Sequence, residues 1–189
     1  MSLAESAKGP LAAHGHSEVL RDLHDLHGEI DSKANALAVI HSNRLQCRRG
    51  CSECCLDDLT VTRIEAERIR RAHADLLRDG EAHPVGRCAF LDDHGACRIY
   101  EDRPYVCRSQ GLPLRIIFEN EAGEIEERRD ICSLNLDGGP PLELLEEDEC
   151  WLVGPFELRI GQLDERFGGG DRNRIGLRDL FEPSGNVIS

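Results

Sequence analysis

Four cysteines lie within the nine residues of CRRGCSECC, from Cys47 to Cys55. This density constrains the fold, because the candidates for such a stretch are a disulfide framework, a redox pair, a cluster loop of a radical enzyme or a metal site with further ligands elsewhere in the chain. The opening residues lack a basic region followed by an apolar run, so no secretory signal is indicated and we expect a cytoplasmic, reduced protein. An odd total of nine cysteines then favours metal ligation or thiol chemistry over disulfides.

Further cysteines follow in short, turn-rich segments at Cys88, Cys97 and Cys107. Turns are how a chain brings separated thiolates to within about 2.3 Å of one ion. The adjacent Cys54 and Cys55 leave the backbone in different directions, which suits two metal centres better than one. With one later cysteine, the predicted metal ligands are Cys47, Cys51, Cys54, Cys55, Cys88, Cys97, Cys107 and Cys132.

The apolar pattern predicts an α+β fold that is mainly helical, with a metal-centred, cysteine-rich core and short β-hairpins. Apolar residues at steps of three or four predict a first helix over residues 18–45. Thr62-Arg-Ile-Glu65 has the form of a capping box and predicts a second helix over about residues 63–79. A helix or a helix pair is expected over about residues 142–167.

Two hairpins are predicted between these helical regions. The first turns at residues 92–95 with a cysteine on each strand, and the second turns near residues 122–123 with a charged, exposed second strand. The expected organisation is a flexible tail, a single domain with the cysteine cluster at about 47–132, and a C-terminal tail, with boundaries at 1–16, 17–181 and 182–189.

Arginines lie beside most of the thiols: Arg48, Arg49, Arg87, Arg98, Arg103 and Arg108. Guanidinium groups near sulfur lower the thiol pKa and offset the negative charge of thiolates. Cys107 is expected on a short helical turn that has Asp102 as its N-cap. Arg103 and Pro104 are expected to position that cysteine.

The composition is acidic, with 36 Asp and Glu against 23 Lys and Arg and a formal net charge of -13. Such a surface repels phosphate backbones and anionic lipids, so neither nucleic acid nor membrane partners are expected. No apolar run approaches the roughly 18 residues of a membrane span. The acidic run at 143–149 is expected to be solvated, and a basic partner protein docking there is the alternative.

CRRGCSECC followed by RCAFLDDHGACRIYEDRPYVCR resembles the YkgJ-type cysteine-cluster family, described as a zinc- or iron-chelating domain. The family pattern is a C-x3-C-x2-CC group followed by C-x-F-L, C-x-I-Y and R-P-x-x-C-R. The resemblance covers about residues 47–108, and extends to Cys132 if that is the family's later cysteine. It implies metal or iron–sulfur binding by these cysteines. A related domain occurs in flagellin lysine methylases, but most members have no assigned reaction, so no substrate is implied.

Other functions fit the cysteines less well. The spacing of Cys47, Cys51 and Cys54 is also that of radical S-adenosylmethionine enzymes, but the chain lacks a (β/α) barrel pattern and has Glu53 where an aromatic residue is usual. A C-x-x-C redox pair would need a thioredoxin-like βαβ context, which is missing. Zinc and iron both accept four thiolates, so the metal stays open.

We therefore interpret the chain as a small metal-binding protein, an accessory or redox module. The alternative is an enzyme that uses the centre for methyl transfer from S-adenosylmethionine or for redox catalysis. His83 and His94 are candidate replacements for a thiol, but solvated loop positions are the better interpretation. His24 and His27 are expected on the edge or exposed side of the first helix, and Cys150 is expected to be an ordinary buried thiol.

Overall fold

The computed structural model describes residues 11–168 and 174–181. Within these residues the chain forms five α-helices: α1 (Leu11–Ile40), α2 (Arg63–Ala72), α3 (Ala74–Asp79), α4 (Tyr105–Arg108) and α5 (Pro155–Gly168). The same residues contain five short strands: β1 (Thr60–Val61), β2 (Leu114–Glu119), β3 (Ile125–Asp130), β4 (Trp151–Leu152) and β5 (Ile175–Gly176). The α+β class predicted from the sequence is therefore confirmed.

Helix α1 carries the predicted apolar stripe on its buried face, because residues three and four apart share one side of a helix. The buried members are Val19, Leu23, Leu26, Ile30, Ala34 and Leu37. The helix begins at Leu11, inside the predicted tail, and ends at Ile40, before the predicted residue 45. Ile40 is 52% exposed, so the prediction that it belongs to the buried apolar stripe was wrong. Residues 1–10 of the predicted tail lie outside the described part.

The second predicted helix begins as expected but is interrupted. The capping box of Thr62 and Glu65 is formed, with the Glu65 carboxylate accepting the Thr62 N–H at 3.2 Å. The single helix predicted to residue 79 instead breaks at His73, which separates α2 from α3. The His73 ring contacts the Asp102 carboxylate at 3.0 Å, so a partner distant in sequence holds the break.

The larger sheet has the strand order β3-β2-β4, and a second sheet pairs β1 with β5. Strands β2 and β3 form the predicted second hairpin, which turns through Gly123 at a φ of +81°, a conformation that favours glycine. Strand β3 is an exposed edge, as predicted. Strand β4 runs parallel to β2, and the helix expected from residue 142 begins only at Pro155.

Two predictions near the cysteines were wrong in detail. The first hairpin is a tight turn in which Leu91 pairs with Cys97 across an isolated antiparallel bridge, with Gly95 at a φ of +73°. Helix α4 has Pro104, not Asp102, at its N-cap position. Asp102 instead accepts a 2.6 Å hydrogen bond from Arg68, and this ion pair takes the carboxylate away from the start of α4.

Two apolar clusters form the core of the described residues. The first lies between α1, α2, α4 and α5 and includes Trp151. The second includes Ile69, Phe90 and Leu177, together with the buried Cys88. The cores are thus built from apolar side chains, and the predicted metal-centred core is not shown in the residues that the structure describes. Of the described helices, none has the length and apolar character needed to cross a membrane.

Candidate metal centre

One set of thiols is attached to the second apolar cluster. We call it the inner group: Cys55, Cys88, Cys97 and Cys107. Cys88 is 7% exposed, and both Cys55 and Cys97 pack against the same cluster. The Cys88 N–H donates a 3.0 Å hydrogen bond to the Cys55 carbonyl, which joins two distant cysteine loops. Burial raises the pKa of Cys107, and the charges of Cys88 and Cys97 raise it further, so these thiols are electrostatic neighbours.

Backbone amides point at two sulfurs of the inner group. The Phe90 N–H donates to the Cys88 thiol, and the Ile99 N–H donates to the Cys97 thiol, each from two residues further along the chain. Burial is the larger effect and raises the pKa of both thiols, while these hydrogen bonds lower it. An amide directed at sulfur stabilises the thiolate, which is the form that binds a metal.

Helix α4 places Cys107, and groups from α1 and α2 hold that helix. Glu65 accepts the Tyr105 N–H at 2.8 Å, at the open N-terminal end of α4. Asp31 of α1 accepts hydrogen bonds from both Arg103, at 3.2 Å, and Arg108. The arginines that flank Cys107 therefore fix its backbone.

A second set of thiols lies on loops nearer the surface. We call it the outer group: Cys47, Cys51, Cys54 and Cys132. Cys47 is exposed, and the other three are partly buried. Burial raises the pKa of Cys47, with smaller increases from the charges of Cys51, Cys54 and Cys132. These four thiols, drawn from two separate loops, are therefore electrostatic neighbours as well.

Asn135 and Gly111 form a cradle for Cys47. Asn135 is completely buried, and its side-chain amide donates to the Cys47 sulfur at 3.5 Å and to the Gly111 carbonyl at 2.9 Å. Its side-chain oxygen accepts the Gln46 N–H at 2.8 Å. A Cβ at Gly111 would lie 2.4 Å from the Cys47 sulfur, so glycine leaves the space that the sulfur uses. Sequence reasoning missed both residues, and the only local signal is the position of Asn135 three residues after Cys132.

The adjacent Cys54 and Cys55 join the two groups. A hydrogen bond from Cys55 lowers the pKa of Cys54 to about 7 and raises that of Cys55. The charge of Cys54 also raises the pKa of Cys47 in the outer group and of Cys107 in the inner group. The pair therefore lies where the two groups meet.

The arginines beside the thiols act mainly on the backbone. Arg98 donates to the carbonyls of Glu81 and Ala89, at 2.8 and 2.7 Å. The charges of Arg103 and Arg98 lower the pKa of Cys97, but burial has the larger effect and the net change is upward. The predicted lowering of thiol pKa by arginine is thus present but not dominant at this cysteine.

Arg48 and Arg49 differ from the other arginines of this region. Within the part of the chain that the structure describes, neither guanidinium group has a hydrogen bond or an ion pair, although the charge of Arg49 lowers the pKa of Asp92. Both border an open depression of about 430 Å³, together with Cys51 and Ser52 of the outer-group loop. The outer group therefore has unpaired positive charge and open space beside it.

The donor chemistry of the two groups fits a zinc or iron–sulfur centre, since each group offers four thiols. Among the residues that the structure describes, no three His, Cys, Asp or Glu side chains are arranged closely enough to hold a metal ion as they stand. The sulfurs of one group are neighbours, and they would have to move closer together to bind one ion.

The remaining candidates lie apart from the two groups. Cys150 is buried, as predicted, although it precedes β4 and does not lie in a helix. His94 is exposed, as expected, and His83 is partly buried. His27, expected on the edge or exposed side of the first helix, is 2% exposed and therefore buried. It lies between buried leucines of α1 because the apolar stripe is wide enough to include it.

Residues 46–133 match the family model CxxCxxCC, described as a "putative zinc- or iron-chelating domain". The matched segment is somewhat less than half of the chain, and it contains all eight thiols of the inner and outer groups while excluding Cys150. The family resemblance drawn from the sequence is confirmed for this segment. No curated protein and no solved structure matches the chain.

Proposed function

Because residues 46–133 match a zinc- or iron-chelating family, we propose that the protein binds zinc or iron through two adjoining thiolate sites, the inner group and the outer group. The observation that carries the proposal is that the matched segment contains all eight predicted ligand cysteines, whose mutual effects on thiol pKa support dividing them into two sets of four. The side chains of Cys54 and Cys55 interact with each other, and this contact supports placing the junction of the two proposed sites at this pair.

The two groups are suited to different roles. The inner group is anchored to the second apolar cluster by Cys88, so a metal there would cross-link the loops that carry Cys55, Cys97 and Cys107. The outer group faces solvent beside an open depression. A thiolate-bound zinc would supply folding energy, whereas an iron–sulfur centre would supply a redox couple. The protein would thus act as an accessory or redox module with one closed and one accessible site.

Metal analysis of protein purified without oxygen tests this function. We expect at least about one zinc or iron per chain, and close to two centres if both groups are filled. Brown colour with broad visible absorption would select an iron–sulfur centre over zinc. Less than about half an equivalent of any metal, in protein that is folded, would refute the proposal.

Cysteine variants identify the ligands. Cys88→Ser and Cys51→Ser remove one thiol from the inner and the outer group, and each should reduce the metal content by about one centre. Cys150→Ala is the matched control, because Cys150 is also buried but lies outside both groups, and it should keep the full metal content. Metal content that falls equally in all three variants would show that unfolding, not ligand loss, is being measured.

A redox or methyl-transfer enzyme is the second candidate, favoured by the depression that Arg48 and Arg49 share with Cys51. Unpaired guanidinium groups beside a thiolate site suit an anionic ligand such as the carboxylate of S-adenosylmethionine. In this case S-adenosylmethionine or a reductant should change the visible spectrum of the centre. A spectrum that responds to neither would leave the binding module as the function.

A further inference from the structure

A second depression, separate from the cysteine groups, lies between α1 and α2 and has a volume of about 410 Å³. Its charged and polar lining comes from Arg21 and His24 of α1, from Arg68 and Arg71 of α2, and from Asp102. None of the described residues that line it is a cysteine. We call it the arginine pocket.

The charge of the arginine pocket is opposite to that of the whole chain. Three arginines and one carboxylate line the pocket, although the chain has a formal net charge of -13, and a second carboxylate, Glu67, pairs with Arg71 from outside the lining. Like charges held close together on neighbouring helices repel one another, and the repulsion is relieved when an anion lies between them. The arginines on this one face therefore favour binding of an anionic ligand.

Much of the hydrogen-bonding capacity in the arginine pocket is unused. Asp102 is already contacted by Arg68 at 2.6 Å and by His73 at 3.0 Å. Arg71 uses its Nε for Glu67, at 2.7 Å, which leaves its two terminal nitrogens without a partner among the described residues. In the same part of the chain neither Arg21 nor His24 has a hydrogen bond or an ion pair.

Arg68 adds a further unsatisfied donor beside the pocket. Its Nε is buried and has no hydrogen-bond partner among the described residues, while its Nη2 is held by Asp102. Arg68 is thereby fixed in position, and Arg21 and Arg71 lie on the exposed faces of their helices. Arg68 is fixed, Arg71 keeps its two terminal nitrogens free, and the Arg21 guanidinium has no partner among the described residues. This resembles the arrangement that binds oxyanions, because a guanidinium presents paired donors to two oxygens.

We propose that the arginine pocket binds a small molecule through a phosphoryl or carboxylate group. Arg21 and Arg71 contact the oxyanion from the two helices, and Arg68 orients it from the base. Phosphoryl and carboxylate groups share the geometry of two oxygens that a guanidinium recognises. The site is independent of the thiol groups, so its ligand binds whether or not metal is present.

Calorimetric titration at constant ionic strength tests the proposal, with inorganic phosphate and succinate as separate probes and glycerol as a neutral reference. We expect saturable binding of about one phosphate or succinate per chain, and no binding of glycerol. Arg21→Gln and Arg71→Gln should each weaken binding at least about tenfold, as expected for the loss of a charge-assisted hydrogen bond. Both side chains are at the surface, so both variants should fold.

Arg70→Gln is the matched control, because Arg70 precedes Arg71 on α2, carries the same charge and does not line the pocket. It should change the affinity by less than about twofold, since its side chain does not line the pocket and its charge is screened by salt. Equal weakening by Arg70→Gln would show diffuse attraction to positive charge and would overturn the proposal. The absence of saturable binding for both anions would do the same. Cys51→Ser should bind the anion unchanged, which separates this test from the metal proposal.

Discussion

The inner and outer groups contain the same number of thiols, but different forces hold them in place. The inner group is positioned by buried backbone, with the Cys88 N–H bonded to the Cys55 carbonyl and helix α4 carrying Cys107. The outer group is positioned by side chains of loops, chiefly by Asn135, which contacts Cys47. A site tied to the core suits a structural metal, and a site on loops suits exchange and reaction.

The scaffold of each group reflects this difference. Glu65 links α2 to the start of α4 through the Tyr105 N–H, so the inner group is coupled to the first apolar cluster. The outer group has no comparable helix beneath it in the described residues. Its scaffold is the Asn135–Gly111 contact and the turn in which the Cys51 N–H bonds the Arg48 carbonyl at 2.9 Å. Substitutions that disrupt the contacts supporting the inner group should therefore lower the free energy of unfolding more than those that disrupt the contacts of the outer group.

The largest expected difference is between Cys107→Ser and Cys51→Ser. Each variant should lose the metal of its own group. Cys107→Ser should also lower the free energy of unfolding by about 3 to 5 kcal/mol, because the inner metal cross-links loops against the core. Cys51→Ser should lower it by less than about 1 kcal/mol. Urea unfolding with parallel metal analysis measures both, and equal losses of stability would break the distinction between the groups.

Glu65→Gln should have the next largest effect. It removes the charge that accepts the Tyr105 N–H and the Thr62 N–H, and we expect a loss of about 2 to 3 kcal/mol in the free energy of unfolding. The inner metal should bind more weakly and the outer metal unchanged. Glu67→Gln on the same helix is the control and should cost less than about 0.5 kcal/mol, because its pair with Arg71 is at the surface. Equal losses in the two variants would contradict a special role for Glu65.

Gly111→Ala tests the outer group. Gly111 and Gly123 have φ values of +88° and +81°, so alanine at either position is strained by about 1 to 2 kcal/mol. Only at Gly111 does the new Cβ approach the Cys47 sulfur, at 2.4 Å. Gly111→Ala should therefore lose outer-group metal and be about 1 to 2 kcal/mol less stable than Gly123→Ala. If both variants keep the outer metal, Cys47 is not held by this cradle.

Local chemistry explains what the sequence predicted correctly. The stripe of α1, from Val19 to Leu37, follows the helical period, and the Thr62–Glu65 capping box is contained within four residues. The hairpin of β2 and β3 needs a glycine at its turn, and Gly123 supplies it. The eight predicted ligand cysteines all lie within the segment that matches the chelating family model, and their binding of a metal stays a prediction.

Contacts between distant residues explain what the sequence did not predict. The break at His73 and the loss of Asp102 as an N-cap have one cause, since Asp102 binds both His73 and Arg68. Asn135 lies 88 positions from Cys47, and no local pattern connects them. The division of the thiols into two groups likewise depends on how the loops fold against one another.

The two groups also differ in that the buried His27 of α1 lies near Glu65, which supports the inner group. Its Nε2 is 3.8 Å from the Glu65 carboxylate, which is longer than a direct hydrogen bond, and neither ring nitrogen has a hydrogen-bond partner among the described residues. Burial lowers the pKa of His27 below 6.5; attraction to Glu65 opposes this, and the charges of Arg108 and Arg68 add to the lowering. The folded protein therefore holds a neutral ring that the unfolded chain protonates more readily.

This difference predicts a moderate loss of stability in mild acid. Because the unfolded chain binds the proton first, the contribution of His27 is complete above about pH 6.5 and falls below that value, by at most about 1.4 kcal/mol per pH unit. The pKa of Glu65 is also lowered: burial would raise it, but attraction to His27 and the hydrogen bonds from Tyr105 and Thr62 outweigh burial. The contribution of Glu65 is therefore lost only below about pH 4.5. Of these two residues, His27 is therefore the one that changes the free energy of unfolding between about pH 4.5 and pH 6.5.

Urea unfolding at about pH 7.5 and about pH 5.5 measures the effect. The native protein should lose more stability than His27→Leu over this range, by no more than about 1.4 kcal/mol. His24→Leu is the control, since His24 is exposed on the same helix, and it should keep the native pH dependence. Protonation of thiolates affects all three proteins alike, so it cancels in the comparison. If His27→Leu loses as much stability in acid as the native protein does, the acid sensitivity arises at the thiol groups and not in the scaffold beneath the inner group.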